Sequence, residues 1–229
     1  MMLARRHAVP AEPQRSPSPT PDTALGDLRF RALLGEAGWS QLSPAVRRRF
    51  SKRLAGGATA IYVGQVAAMR MSGMGWIMAQ LLRLIGGPLP TSHDTGLPSV
   101  VSVTEDGATG GQIWTRLYAR RRGFPQIIHS CKRFAGASGL EEHLGGGFAM
   151  TLSVAVEQGA LVFRSAGYFW HLGPLRLDLP AWLSPGALTV THREIGERRF
   201  AFDLDLVHFR LGHLVHQSVA FEETLPWHI

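Results

Sequence analysis

The chain has 229 residues, of which 45% are hydrophobic and 18% charged, with a formal charge of +7. That size suits one well-buried domain or two small ones, and the balance excludes a disordered or fibrous chain. A single cysteine, Cys131, excludes an internal disulfide framework and a cysteine-based zinc site, and fits a reducing, cytoplasmic compartment.

Residues 1–26 are rich in Pro, Ser and Ala without periodicity and are expected to form a disordered tail; the charged start is not followed by the apolar stretch of a secretory signal. Residues 27–229 are expected to form a single domain. Leu28, Leu33 and Leu34 share one face of a first helix that should stop at Gly35. A second helix is capped by Ser43, begins at Pro44 and should run towards Gly56, with its arginines as a solvated face. "ATAIYVGQVAAMRM" reads as a strand, and "GMGWIMAQLLRLIGGPLP" as a helix closed by Gly86, Gly87 and Pro88. Arg83 interrupts this apolar stretch, which is too short to span a bilayer, so a buried helix is expected, with peripheral membrane contact as the alternative.

From Leu97 onward, short apolar runs are separated by turn residues, and no helix of crossover length lies between them. The fold class expected is therefore α+β, a large curved antiparallel β-sheet or β-barrel with two or three N-terminal helices, curled around the apolar helix. Period-two alternation assigns the inward faces. Phe148, Met150, Leu152, Val154 and Val156 form one inward set, and Phe200, Phe202, Leu204 and Leu206 form another that leads to His208. Leu188 and Val190 lead to His192, while Val215, Val219 and Phe221 flank Gln217. His192, His208 and Gln217 are thus expected to point inward together, satisfying one another or waiting for a ligand, because buried polar groups need partners.

"WTRLYARRRGFPQIIHSCKRF" divides at Gly123-Phe124-Pro125 into two strands, with the Arg120–Arg122 run solvated at the tip. Trp114, Arg116 and Tyr118 fall on one face of the first strand, and an arginine between two aromatics asks for an anionic partner. Cys131 and His129 share a face, but a lone cysteine is more often a small buried hydrophobe than an activated nucleophile. "GMG" lacks the rest of a dinucleotide fingerprint, and "HDTG" lacks the second carboxylate of an aspartic protease. His192 and His208 with Glu194 form only a weak metal pattern, so no metal or cofactor is expected. Glu141 and Glu142 read as a solvated loop, with acid–base work as the alternative. Tyr168 and Trp170 alternate on a strand as core or as a stacking face.

The segments "FRALLGEAGWSQLSPAVRRRF", "WTRLY", "GLEEHLGGGFAMTLSV", "GYFWHLGPLRLDLPAWLSPGALTVTH" and "FDLDLVHFRLGHLVHQSVAFEE" together resemble a bacterial family, domain of unknown function 4166, over roughly residues 28–223. The resemblance implies recurrent positions at Trp114, Arg116, Glu142, Tyr168, His192, His208 and Gln217. Its His-Pro in the last hairpin is replaced here by His208-Phe209. Members often follow a saccharopine-dehydrogenase-like NAD(P)-binding domain, which this sequence does not include.

The function expected is binding of a small hydrophobic or lipid-like ligand inside the curved sheet, through Trp114, Arg116, Tyr118, Glu142, Tyr168, His192, His208 and Gln217. The alternatives are a small-molecule isomerase or hydrolase, or an accessory domain of a separately encoded oxidoreductase. Nucleic-acid binding is disfavoured: lysine occurs only at Lys52 and Lys132, an arginine bias that GC-rich coding produces by itself, and the basic runs would have to form one stripe.

Overall fold

The computed structural model describes residues 27–223; the tail expected over 1–26 lies outside the described residues. Two helices lead, α1 (Arg29–Gln41) and α2 (Pro44–Phe50), followed by β1 (Thr59–Met71) and α3 (Gly73–Leu82). Then come β2 (Pro98–Asp106), β3 (Gly111–Tyr118), β4 (Gln126–Arg133), β5 (Glu141–Gly145), β6 (Phe148–Glu157), β7 (Ala160–Leu172), β8 (Leu175–Asp178), β9 (Ala187–Gly196), β10 (Arg199–His208) and β11 (Gly212–Glu222).

The strands are antiparallel and ordered β6-β5-β4-β3-β2-β1-β11-β10-β9-β7, and β7 pairs back to β6. The sheet therefore closes into a ten-stranded barrel, with β8 a short addition along the end of β7. Closure removes the unpaired edges that an open sheet this wide would expose. Short turns enforce the meander: Gln158 and Gly159 both have positive φ (50° and 78°), the two-residue hairpin geometry that matches strand twist. Two strands, β5 and β8, have no counterpart in the apolar runs of the sequence. Glu141 and Glu142 accordingly lie in a strand and are buried rather than in a solvated loop, because Glu142 pairs in register with Lys132.

The barrel's two ends differ. At the end where β6 meets β7, α1 and α2 form a plug: Ser43 N donates to Gly159 O at 3.1 Å, and Phe30, Leu42, Val46 and Phe50 are buried. Phe30 packs edge-on against Phe50 and Phe134, both with centroids 5.1 Å away. α1 does not stop at Gly35; that residue takes φ 66°, kinks the helix, and the chain turns helical again to bury Trp39. Ser43 caps α2, accepting from Val46 N at 3.3 Å, but the helix ends at Phe50, where Arg49 and Phe50 turn into the barrel, not near Gly56.

At the opposite end α3 lies across the mouth. It is not enclosed by the sheet, as its apolar sequence suggests; only Gly75 and Ala79 are buried, while Trp76 and Leu81 are exposed. Its start is docked backbone to backbone on β11: Ser72 N donates to Leu214 O at 3.0 Å, and any Cβ on Gly75 would run into that same oxygen. Past α3, the turn at Arg83–Ile85 brings Gly86 against Leu144 and Gly145, on the far side of the barrel. Ten helical residues and one tighter turn cover about 20 Å, enough to bridge the mouth. Among the described residues no helix is long and apolar enough to cross a membrane.

Candidate functional site

Beneath α3 the barrel holds a cavity that offers about 100 Å3 to the centre of a water-sized sphere. The strand count explains it. Barrel diameter grows with strand number, and at about eight strands side chains just fill the interior, so ten leave space. The walls are mainly apolar, with Val101, Phe148, Met150, Phe163, Leu206 and Val219 among them, and Leu82, Pro88, Leu89 and Pro90 close the top.

One wall is polar. Alternation turns Trp114, Arg116 and Tyr118 of β3 inward, with Ile128, Ser130 and Lys132 of β4 and Glu142 of β5 beside them. Lys132 Nζ lies 2.9 Å from one Glu142 carboxylate oxygen. Arg116 reaches the other at 3.5 Å and donates to Ser130 Oγ at 3.0 Å, and Ser130 in turn donates to Glu142 at 2.6 Å. The anionic partner that Arg116 requires is therefore Glu142, and Lys132 shares it. Two cations around one carboxylate account for the titration. Burial pushes the Glu142 carboxyl up, but Lys132, Arg116 and the Ser130 hydroxyl outweigh it and hold it at about 2. Lys132, with only a share of one carboxylate, is pushed down by burial and by Arg116, against the pull of Glu142. The cluster presents an excess of positive charge to the cavity, and Trp114 lies 5.1 Å from Lys132 Nζ, placed to stabilise the ammonium.

Gln217 is buried on β11 and faces the same cavity. Tyr168 also lines it; a bulge opposite Thr151 and Leu152 turns Tyr168 inward, and its hydroxyl donates to Gly186 O at 2.8 Å. Burial raises the Tyr168 phenol to about 12, so it stays protonated, and burial likewise raises Tyr118. Trp170, next inward along β7, sits at the rim, where its indole donates to Gly146 O at 2.7 Å.

The two histidines do not belong to this cavity. His192 points inward and is buried, but into a smaller pocket near the plug, with Arg49, Phe50 and Tyr62; Trp114 and Phe202 border both spaces and divide them. Arg49 Nη1 is 3.0 Å from His192 Nε2 and 3.0 Å from Glu194. A guanidinium can only donate, so Nε2 accepts and the ring proton is on Nδ1. Burial, then Arg49, hold His192 well below its ordinary value, hence neutral. Arg49 thus occupies the place between His192 and Glu194 where a metal ion would be weighed from the sequence. His208 does not line the cavity. It stands at the end of β10, where its Nδ1 accepts from Arg210 N and Leu211 N at 3.2 and 3.3 Å, holding the last hairpin. His192, His208 and Gln217 consequently do not satisfy one another.

The structure therefore brings Trp114, Arg116, Tyr118, Glu142, Tyr168 and Gln217 together around one cavity and leaves His192 and His208 outside it. Sequence reasoning missed Ser130 and Lys132, although their period-two spacing from Ile128 carried the signal. It also missed Arg49, a buried residue within a basic run. Cys131 is on the outer face, half-buried beside Asp106 and pushed up by burial, the opposite of an activated thiol. The basic runs form no stripe: Arg49 and Lys132 are buried, and Arg120–Arg122 lie at the other end of the barrel from α2.

A family model described as Domain of unknown function (DUF4166) matches residues 42–221. The chain belongs to that family. The DUF4166 match spans the whole barrel, α2 included, and leaves α1 outside. No curated protein and no solved structure matches the chain. What a DUF4166 domain does must therefore be argued from the cavity.

Proposed function

We propose that the barrel binds a small amphiphile, with its apolar part in the cavity and an acceptor-bearing head against Arg116, Lys132 and Gln217. One observation carries this reading: an apolar interior interrupted by a few convergent polar groups of net positive charge. Small-molecule sites are generally built this way. Each methylene transferred from water adds about 0.8 kcal/mol, so a short acyl or prenyl tail suffices to drive binding, while the charged wall fixes orientation. Native mass spectrometry and organic extraction of the purified protein test the proposal. A stoichiometric lipid-like molecule, lost in Met150→Trp, which fills the cavity, is expected. An empty protein that also fails to bind a fluorescent fatty-acid analogue would count decisively against it.

A second reading, an enzyme acting on the bound molecule, is favoured by Lys132. Its amine faces an apolar cavity beside a second cation, the surrounding in which lysines attack carbonyl groups. The nitrogen would add to a carbonyl carbon and expel the oxygen as water, leaving an imine. Borohydride in the presence of a medium-chain keto acid should then add the mass of the reduced adduct to wild type and not to Lys132→Met; unmodified wild type would dismiss this reading.

A further inference from the structure

Most of the large exposed apolar side chains are gathered at one end of the molecule, with Leu28, Ile61 and Val63 the exceptions. Trp76 and Leu81 of α3, Leu84 just beyond it, Phe124 between β3 and β4, Trp182 between β8 and β9, and Phe209 between β10 and β11 all project from the mouth of the barrel. Phe124 is 93% and Leu84 87% exposed, values without any compensating contact. They come from four separate connections, so a single greasy loop does not explain them. α3 itself, GMGWIMAQLL, has one polar residue, Gln80. A helix apolar all round is stable only when covered on both sides, by protein or by lipid. The barrel covers one side of it.

Charge is segregated in the same way. The connections at the mouth carry Arg83, Arg120, Arg121, Arg122 and Arg210 against one carboxylate, Asp94. Arg121 meets Asp94 at 3.7 Å. Among the described residues the other four arginines have no carboxylate partner within salt-bridge distance. The first and last described residues, Asp27 and Glu223, lie at the opposite, plugged end.

We propose that the mouth of the barrel is a docking surface for an anionic lipid bilayer, with α3 lying flat in the interface and the arginines among the headgroups. Exposed tryptophan, leucine and phenylalanine interspersed with arginine is the pattern of an interfacial surface. A second copy of the chain would bring the same unpaired arginines face to face, whereas an anionic leaflet neutralises them. Docking at this end would place the cavity's covering helix against the lipid phase. The proposal does not depend on what the cavity holds, since its readout is attachment of the protein itself.

Co-sedimentation of the full chain with phosphatidylcholine vesicles, with and without about one third phosphatidylglycerol, tests it. Binding to the anionic vesicles is expected, weakening with salt. It should be accompanied by a blue shift of tryptophan emission that is reduced in Trp76→Phe/Trp182→Phe. Arg120→Ser/Arg121→Ser/Arg122→Ser should bind roughly a hundred-fold more weakly, at about five-fold per arginine. Leu84→Ser/Phe124→Ser should lose attachment while keeping the thermal midpoint, because these side chains are exposed in the free protein. No attachment at low salt, attachment equal on neutral and anionic vesicles, or attachment unchanged in both variant sets would overturn the proposal. A concentration-dependent dimer abolished by Leu84→Ser, without vesicle binding, would overturn it in favour of a second copy.

Discussion

Glu142 offers the sharpest test of the polar wall. Replacing it by glutamine keeps the shape but leaves Lys132 and Arg116 facing each other inside the barrel. Held at about 2 against an ordinary 4.5, the Glu142 carboxylate favours the folded state by about 3 kcal/mol near neutrality, from roughly 1.4 kcal/mol per pH unit of displacement. Removing one member of a buried ion pair costs about 3–5 kcal/mol, so the two routes agree. The folded value is depressed, so this stability is fully present above about pH 4.5 and is lost as the pH falls through 2. Urea unfolding at fixed ionic strength from pH 7 to pH 2 should show Glu142→Gln destabilised by about 3 kcal/mol at pH 7 and lacking the Glu142 share of the acid-side decline. Adding Lys132→Met should restore much of the loss, since an apolar pair is tolerated where a lone charge is not. A Glu142→Gln protein within about 0.5 kcal/mol of wild type at pH 7, or with an unaltered acid limb, would refute the argument that two buried cations depend on this carboxylate.

Three further outcomes are expected. Gly75→Val should weaken the seat of α3 on β11 by about 1–3 kcal/mol, the usual cost of overpacking, and speed amide exchange across 73–85 more than in the strands. His192 should stay neutral, protonated on Nδ1, from pH 8 down to pH 5 by nitrogen NMR. Its depressed value means that its contribution to stability falls as the pH drops below 6.5, where only the unfolded chain takes up the proton. Cys131 should react with iodoacetamide more slowly at pH 7 than a free thiol, and a rate equal to or above that of glutathione would contradict its raised value.

Much of the barrel was legible because period-two alternation is local. Phe148, Met150 and Leu152, or Phe200 through Leu206, turn the same faces inward in the structure as in the sequence. The family resemblance likewise held, over 42–221. Alternation gives a facing direction but not a partner, and His208, at the end of β10, is taken up by the backbone of its own hairpin rather than by the cavity. It also cannot say how far along the barrel axis an inward residue sits, so His192 and Gln217 share a facing direction but not a cavity. Lys132 falls in a basic stretch, where a buried and a solvated cation look alike in sequence. The position of α3 was not legible, since an apolar helix inside a sheet and one lying across its rim have the same sequence signature.

Two backbone contacts fix the ends of the α3 strap, at Gly75 on β11 and at Gly86 against Gly145, and between them Met78, Ala79 and Leu82 pack on Leu206, Leu214 and Val215. That small cluster is distinct from the main core of the barrel and its plug. Access to the cavity can therefore be governed separately from the stability of the barrel: the sheet's closed hydrogen-bond circuit and the aromatic plug fix the container, while the covering over its opening rests on a smaller cluster of its own. In such a molecule, mutations that change how quickly the cavity fills and empties need not change how readily the protein unfolds.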